Sequence, residues 1–221
     1  MQSSLRRFSI AFCTLASGLM MATNAALAQY PPAKVLAGQW WQWTLSAPAS
    51  QSPLLDNTGQ FVAVNQQGKI WFLAGNQGGV TTRTVTIPAG KALFFPIVNY
   101  FDVEDGIERG VGPVFLAPHP LQTAQQAVLA AIWTATNLSC EVDGIPLPIT
   151  AANLEQSTPF SFFLPANNIF GVPAGVYFPA FDSGYYVLLK PLSAGSHRIH
   201  FAGTLTSSST SVDVTYYLTV Q

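Results

Sequence analysis

Two neighbouring runs limit what this chain can become. Between Val80 and Ile87, the residues Val80, Thr82, Thr84 and Thr86 alternate with Thr81, Arg83, Val85 and Ile87. That is the period of two that sends successive side chains to opposite faces of a strand, and it predicts a half-buried strand with one hydroxyl-lined face. Shortly after it, Ala92 to Val98 is wholly apolar. Such a run predicts a strand covered on both faces, ending or bulging at Pro96 because proline brings no N–H to a ladder. A strand with one wet face beside a strand with none requires stacked layers.

Other strand signals are spread along the chain. Phe61 to Val64, Gly68 to Ala74, Phe160 to Leu164, Tyr185 to Leu189, Ser196 to Ala202 and Val212 to Val220 are short apolar or alternating runs set between Gly, Asn and Pro. Ser139 to Val142 and Ile145 to Ile149 flank Asp143-Gly144, a hairpin signature. Two helices are expected among them. Ala33 to Leu45 places Leu36, Trp40 and Trp43 on one stripe, with Pro48 as a stop. Leu121 to Ala135 is rich in Ala and Gln and gathers Leu121, Val128, Leu129, Ile132 and Trp133 on one side. Together these predict a mainly β fold, a jelly-roll-like β-sandwich with one or two inserted helices.

The first 28 residues read as an export signal. Arg6 and Arg7 precede an uncharged apolar run from Phe8 to Thr23, and Ala26-Leu27-Ala28 offers small residues before a cut at Gln29. The run falls short of the ~20 apolar residues of a membrane span. Cys13 lies inside the run, after Phe12, which does not suit a lipoprotein signal. The expected product is residues 29–221, one β-rich domain that is secreted or periplasmic and has no membrane span. Losing two of nine basic residues leaves seven against ten acids, a charge of −3. No basic stripe supports nucleic-acid binding. Cys13 leaves with the signal, so Cys140 has no partner within the mature chain and is expected to be a buried small hydrophobe.

Few residues suggest chemistry. Asp102, Glu104, Asp105 and Glu108 cluster around Gly106. They suit either a solvated loop or a cage of oxygen ligands for Ca²⁺. Paired across a cleft, with or without Asp182, they would also serve a glycan hydrolase or lyase. Trp40, Trp41 and Trp43, with Trp71, Tyr185 and Tyr186, would stack on sugars if exposed and fill a core if not. His197 and His200 are three apart on a strand and so face opposite sides. His119 stands between prolines, and no zinc-peptidase or serine-hydrolase motif is present.

The segments WWQWTLS, IWFLAG, TRTVTIPAGKALFFPIVN, DSGYYVLLKPLSAGSHRIHFAG and VDVTYYLTV resemble a group of secreted bacterial proteins with no assigned activity. The resemblance covers Trp40 to the C-terminus and is weakest over Tyr100 to Pro120. It implies export and a single β-rich domain, and it carries no catalytic residue. Relatives of that pattern place Cys before the WFLAG strand and at Val85, where this chain has Ala63, Val64 and Val85; the resemblance therefore implies packing in place of a disulfide. The expected role is an exported, non-catalytic β-sandwich that binds a glycan or envelope component. A carbohydrate-active enzyme and a Ca²⁺-stabilised structural envelope domain are its rivals.

Overall fold

In a computed structural model, which describes residues 29–103 and 121–221, ten strands form two mixed sheets. The first sheet runs β1 (Ile70–Phe72), β3 (Ala92–Val103), β8 (Gly175–Leu189), β6 (Leu154–Gln156), with β7 (Phe160–Leu164) also on β8. The second runs β2 (Gly79–Ile87), β10 (Thr210–Val220), β9 (Gly195–Leu205), β4 (Ala135–Val142), β5 (Ile145–Leu147). β1 lies parallel to β3 and β2 parallel to β10, while the remaining pairs are antiparallel. Two helices, α1 (Ala33–Leu45) and α2 (Leu121–Ile132), complete the architecture.

The alternation in β2 is realised: Thr81, Arg83, Val85 and Ile87 are buried, whereas Val80, Thr82, Thr84 and Thr86 are exposed. β3 is covered on both faces and bulges where Pro96 pairs with Tyr186 and Val98 with Tyr185, leaving Ile97 as the extra residue. Before the bulge Phe94 faces α1, stacking on Tyr186 at 5.0 Å. After it, Val98 and Tyr100 join the inter-sheet cluster, and Phe101 meets Trp41 with ring centroids 4.0 Å apart.

Two apolar layers result. Leu93, Phe95 and Ile97 meet Ile199, Phe201, Val214 and Tyr216 between the sheets, closed by Val128 and Ile132 of α2. The sheets approach closely at Gly203, where a Cβ would lie 2.8 Å from Val98 Cγ1. On the other face of the first sheet sits α1, whose burial of Leu36, Ala37, Gly38, Trp40, Trp41, Trp43, Thr44 and Leu45 leaves only a narrow wet side. Each fully enclosed large side chain in these layers contributes about 1.5–3 kcal/mol.

Buried Arg83 joins two loops to the second sheet. Its guanidinium donates to the carbonyls of Asp56, Ala74, Gly75 and Pro53 and to the Tyr216 hydroxyl, with the Tyr216 ring beneath it at 5.3 Å.

Several expectations are corrected. Phe61 to Val64 is a series of turns rather than a strand, because the Asp56 carboxylate captures the N–H groups of Thr58, Gly59 and Phe61. Trp133 is 68% exposed; it lies beyond the end of α2, one residue and ~100° round from buried Ile132. The strand expected over Tyr185 to Leu189 starts at Gly175, and β3 continues past Pro96 to Val103. The hairpin turn is as expected, with Asp143 and Gly144 both at positive φ (52° and 79°).

Candidate functional site

The three tryptophans of α1 do not form an exposed platform. Trp40, Trp41 and Trp43 are 1%, 4% and 5% exposed, and each indole N–H is used internally, by Leu73 O, Asp182 Oδ1 and Val64 O respectively. The tryptophan-rich stretch Trp40 to Trp43 fits either a core or a platform by sequence, with the core favoured. The choice falls to core because α1 lies flat on the aromatic face of the first sheet.

Asp182, the β8 acid named as a partner for a catalytic pair, is fully enclosed. Trp41 donates to one carboxylate oxygen at 2.6 Å and the Tyr186 hydroxyl to the other at 2.8 Å. Asn99 in turn donates to the Tyr186 oxygen, and the Ser157 hydroxyl accepts the Asp182 N–H. Burial pushes the carboxyl up to about 7, against the pull of the Trp41 and Tyr186 bonds. Gly184 is required here, since a Cβ would lie 2.6 Å from Asn99 Cβ and 2.7 Å from Tyr186 Cε2. The group can hold a proton near neutrality, but it has no opening to a substrate.

Of the acidic cluster, Asp102 is buried with its carboxylate accepting the Val103 N–H. Glu104, Asp105 and Glu108 lie outside the described residues, as does His119. Among the described residues no group of three or more His, Cys, Asp or Glu is placed to hold a metal ion. Cys140 is a buried free thiol, pushed up to about 12 by burial.

His197 takes part in a row that resembles a catalytic triad in its atoms and differs in their roles. Its Nδ1 lies 2.7 Å from Asp143 Oδ2, and its Nε2 lies 3.4 Å from Ser193 Oγ and 2.9 Å from the Ser193 carbonyl. The bond to Asp143 and the Ser193 carbonyl raise the imidazole pKa. With a carboxylate at Nδ1 and a carbonyl at Nε2, the charged ring donates on both sides, and in that form it has no lone pair to take a serine proton. The row is a latch between the β4–β5 turn and the β8–β9 connection. His200 points to the other face, where it pairs with Asp213 at 3.0 Å.

Two concave features adjoin α1. A crevice of about 70 Å³ has Trp40, Trp41, Val98, Tyr100 and Val212 in its lining. At ~30 Å³ per water it holds a couple of solvent molecules and no sugar ring. The second is an open depression of about 530 Å³ between α1 and the segment preceding β1, within the ~300–1,000 Å³ typical of ligand sites. Its rim carries the exposed amides of Gln39, Gln42, Asn65 and Gln67. Trp43 and Phe72 line it from below, stacked at 5.6 Å and 27°, and no charged side chain among the described residues lines it.

That rim is held in place. Asn65 adopts φ 54° and donates to Ser46 Oγ, which donates to Trp43 O. Gln42 donates to the Ser161 carbonyl on β7. Gln66 closes the edge of β1 like a one-residue strand: its Oε1 accepts the Phe72 N–H and its Nε2 donates to Phe72 O and Val62 O. Sequence reasoning singled out Trp43 here but missed the amides. Their signal was present in Gln39 and Gln42, the i, i+3 pair on the wet side of a helix otherwise buried.

The chain matches no protein-family model and no curated protein. Among solved structures, one titled "Structure of PbICP-C in complex with falcipain-2" aligns over 70% of this chain and 100% of its own, at 12% identity and a TM-score of 0.26. A likeness that slight carries no argument about fold or function.

Proposed function

We propose that this chain is an exported, non-catalytic β-sandwich protein of bacterial origin that binds a glycan or envelope component through the surface beside α1. The observation that carries the reading is the amide-rimmed, charge-free depression, which is open, concave and rigidly framed. The placement of the acids favours binding over catalysis. Asp182 is enclosed by Trp41 and Tyr186, and His197 is engaged at both nitrogens. Export rests on the Arg6-Arg7, apolar-run and Ala26-Leu27-Ala28 pattern.

Two measurements test it. Expressed in a bacterium with its first 28 residues, the protein is expected outside the cytoplasm with Gln29 at its N-terminus by mass spectrometry; a cytoplasmic product beginning at Met1 overturns export. Purified residues 29–221 are expected to co-sediment with insoluble polysaccharide or cell-envelope fractions without releasing soluble sugar. Failure to sediment with any of them overturns the binding reading, and sugar release overturns the non-catalytic one.

A further inference from the structure

We infer that the depression beside α1 is a subsite for a neutral carbohydrate chain, recognised by the side-chain amides of Gln39, Gln42, Asn65 and Gln67 over the Trp43–Phe72 pair. This rests on the binding reading above and assigns it a place and a ligand class.

The chemistry of the rim selects the ligand. A carboxamide both donates and accepts, as a sugar hydroxyl does, so a cluster of amides complements a polyhydroxylated surface without a net charge on either partner. The lining provides no cation for a phosphate or carboxylate to pair with; the Lys91 ammonium at its margin is engaged by the Gly68 carbonyl. Gln39 and Gln67 make no side-chain hydrogen bond among the described residues, and Asn65 and Gln42 use only their NH₂ groups, leaving both carbonyl oxygens open. The exposed donors and acceptors therefore stand ready on a frame fixed by Ser46, Ser161 and Gln66, which lowers the ordering cost of binding.

An extended peptide fits less well. Strand addition needs a free sheet edge, and at Phe72 the N–H and C=O that such a peptide would use are both taken by Gln66. The apolar surface is confined to the narrow parts of Trp43 and Phe72 that reach the depression, both under 10% exposed. That strip is smaller than the face of a sugar ring and provides no side-chain pockets, so recognition falls to the amides.

The test is titration of residues 29–221 with neutral gluco-, manno-, galacto- and chito-oligosaccharides, followed by calorimetry and by side-chain amide NMR. At least one series is expected to bind and to shift the NH₂ resonances of Gln39, Asn65 and Gln67. The double substitution Gln39→Ala/Gln67→Ala removes two exposed amides and is expected to weaken binding roughly tenfold or more with the melting temperature unchanged. Gln126→Ala, an exposed amide on α2, is expected to change nothing.

Unchanged affinity in the double variant overturns the site while leaving a binding protein. Envelope co-sedimentation without response to any neutral oligosaccharide overturns the ligand class, as does binding confined to acidic sugars and abolished by salt. A peptide that binds and shifts the same amides overturns it in favour of a protein partner. Absence of all binding removes both this inference and the reading on which it rests.

Discussion

The indole N–H of Trp41 reaches Asp182 Oδ1 at 2.6 Å across 141 residues of chain, fastening α1 to the middle of β8. Because the acceptor is a fully buried carboxyl pushed up to about 7, the tie has a pH dependence of known sign. The folded-state pKa lies above the ordinary Asp value of ~3.9. The contribution is complete below that ordinary value, declines as pH rises towards about 7, and is flat above it, over a total range on the order of a few kcal/mol. Asp182→Asn keeps an acceptor for Trp41 and offers a donor to the Tyr186 oxygen. It is expected to remove the decline, so that urea midpoints of variant and wild type diverge from pH 4 to pH 8 with the variant the more stable at pH 8. Parallel curves would show that Asp182 does not titrate in this interval.

Arg83 offers a second, chemically distinct test. Lysine has three donors on a point charge and cannot reproduce the planar fork that serves four carbonyls and the Tyr216 hydroxyl. Arg83→Lys is expected to destabilise by about 2–4 kcal/mol in urea unfolding, since it strands buried acceptors. A loss under about 0.5 kcal/mol, the scale of an ordinary surface substitution, would mean that the loops over Arg83 have other anchors.

The His197 latch should be visible by NMR. The imidazole titrates above 6.5 because Asp143 and the Ser193 carbonyl favour the charged ring. Its stabilising effect is present at lower pH and lost as pH rises through that raised value. Asp143→Asn is expected to return the His197 titration towards 6.5. A His197 midpoint indifferent to Asp143 would contradict the geometry.

Cys140 is buried between Leu147 and Phe201 in the ladder, and its thiol is pushed up to about 12 by burial. Native protein is expected to resist a thiol reagent at pH 8 and to react stoichiometrically in urea. Rapid labelling of the native form would place the thiol at the surface.

The sequence was most legible where one face of an element meets water. β2, the Asp143-Gly144 hairpin and α1 each display their environment in local periodicity, and the sandwich follows from them. What remained hidden is set by distant partners. Arg83 stood on the inner face by parity, yet nothing near it announces carbonyls from Pro53, Asp56, Ala74 and Gly75 as its solvent. Phe61 to Val64 has strand-like residues, but the Asp56 carboxylate takes the Phe61 N–H and turn carbonyls of Gly59 and Phe61 take those of Val62 and Val64, so no ladder forms. Trp41 and Asp182 give no sequence sign of each other, so a candidate sugar platform and a candidate catalytic acid proved to be a single internal contact. The amide rim of the depression comes from two segments, α1 and Asn65 to Gln67, and neither is distinctive alone.

The extra residue at Ile97 works as a reading frame in three dimensions. Every side chain from Val98 to Val103 keeps its layer because Ile97 is left out of the pairing: forced into a regular ladder, Ile97 would send Phe101 towards the second sheet and Tyr100 towards α1, whereas deleting it would join Pro96 to Val98 in the register they already hold. β3 should therefore lose Ile97 more readily than it gains a residue, because an insertion needs a second bulge to keep Phe101 against α1. In the evolution of such a strand, a residue gained is constrained more tightly than this one lost.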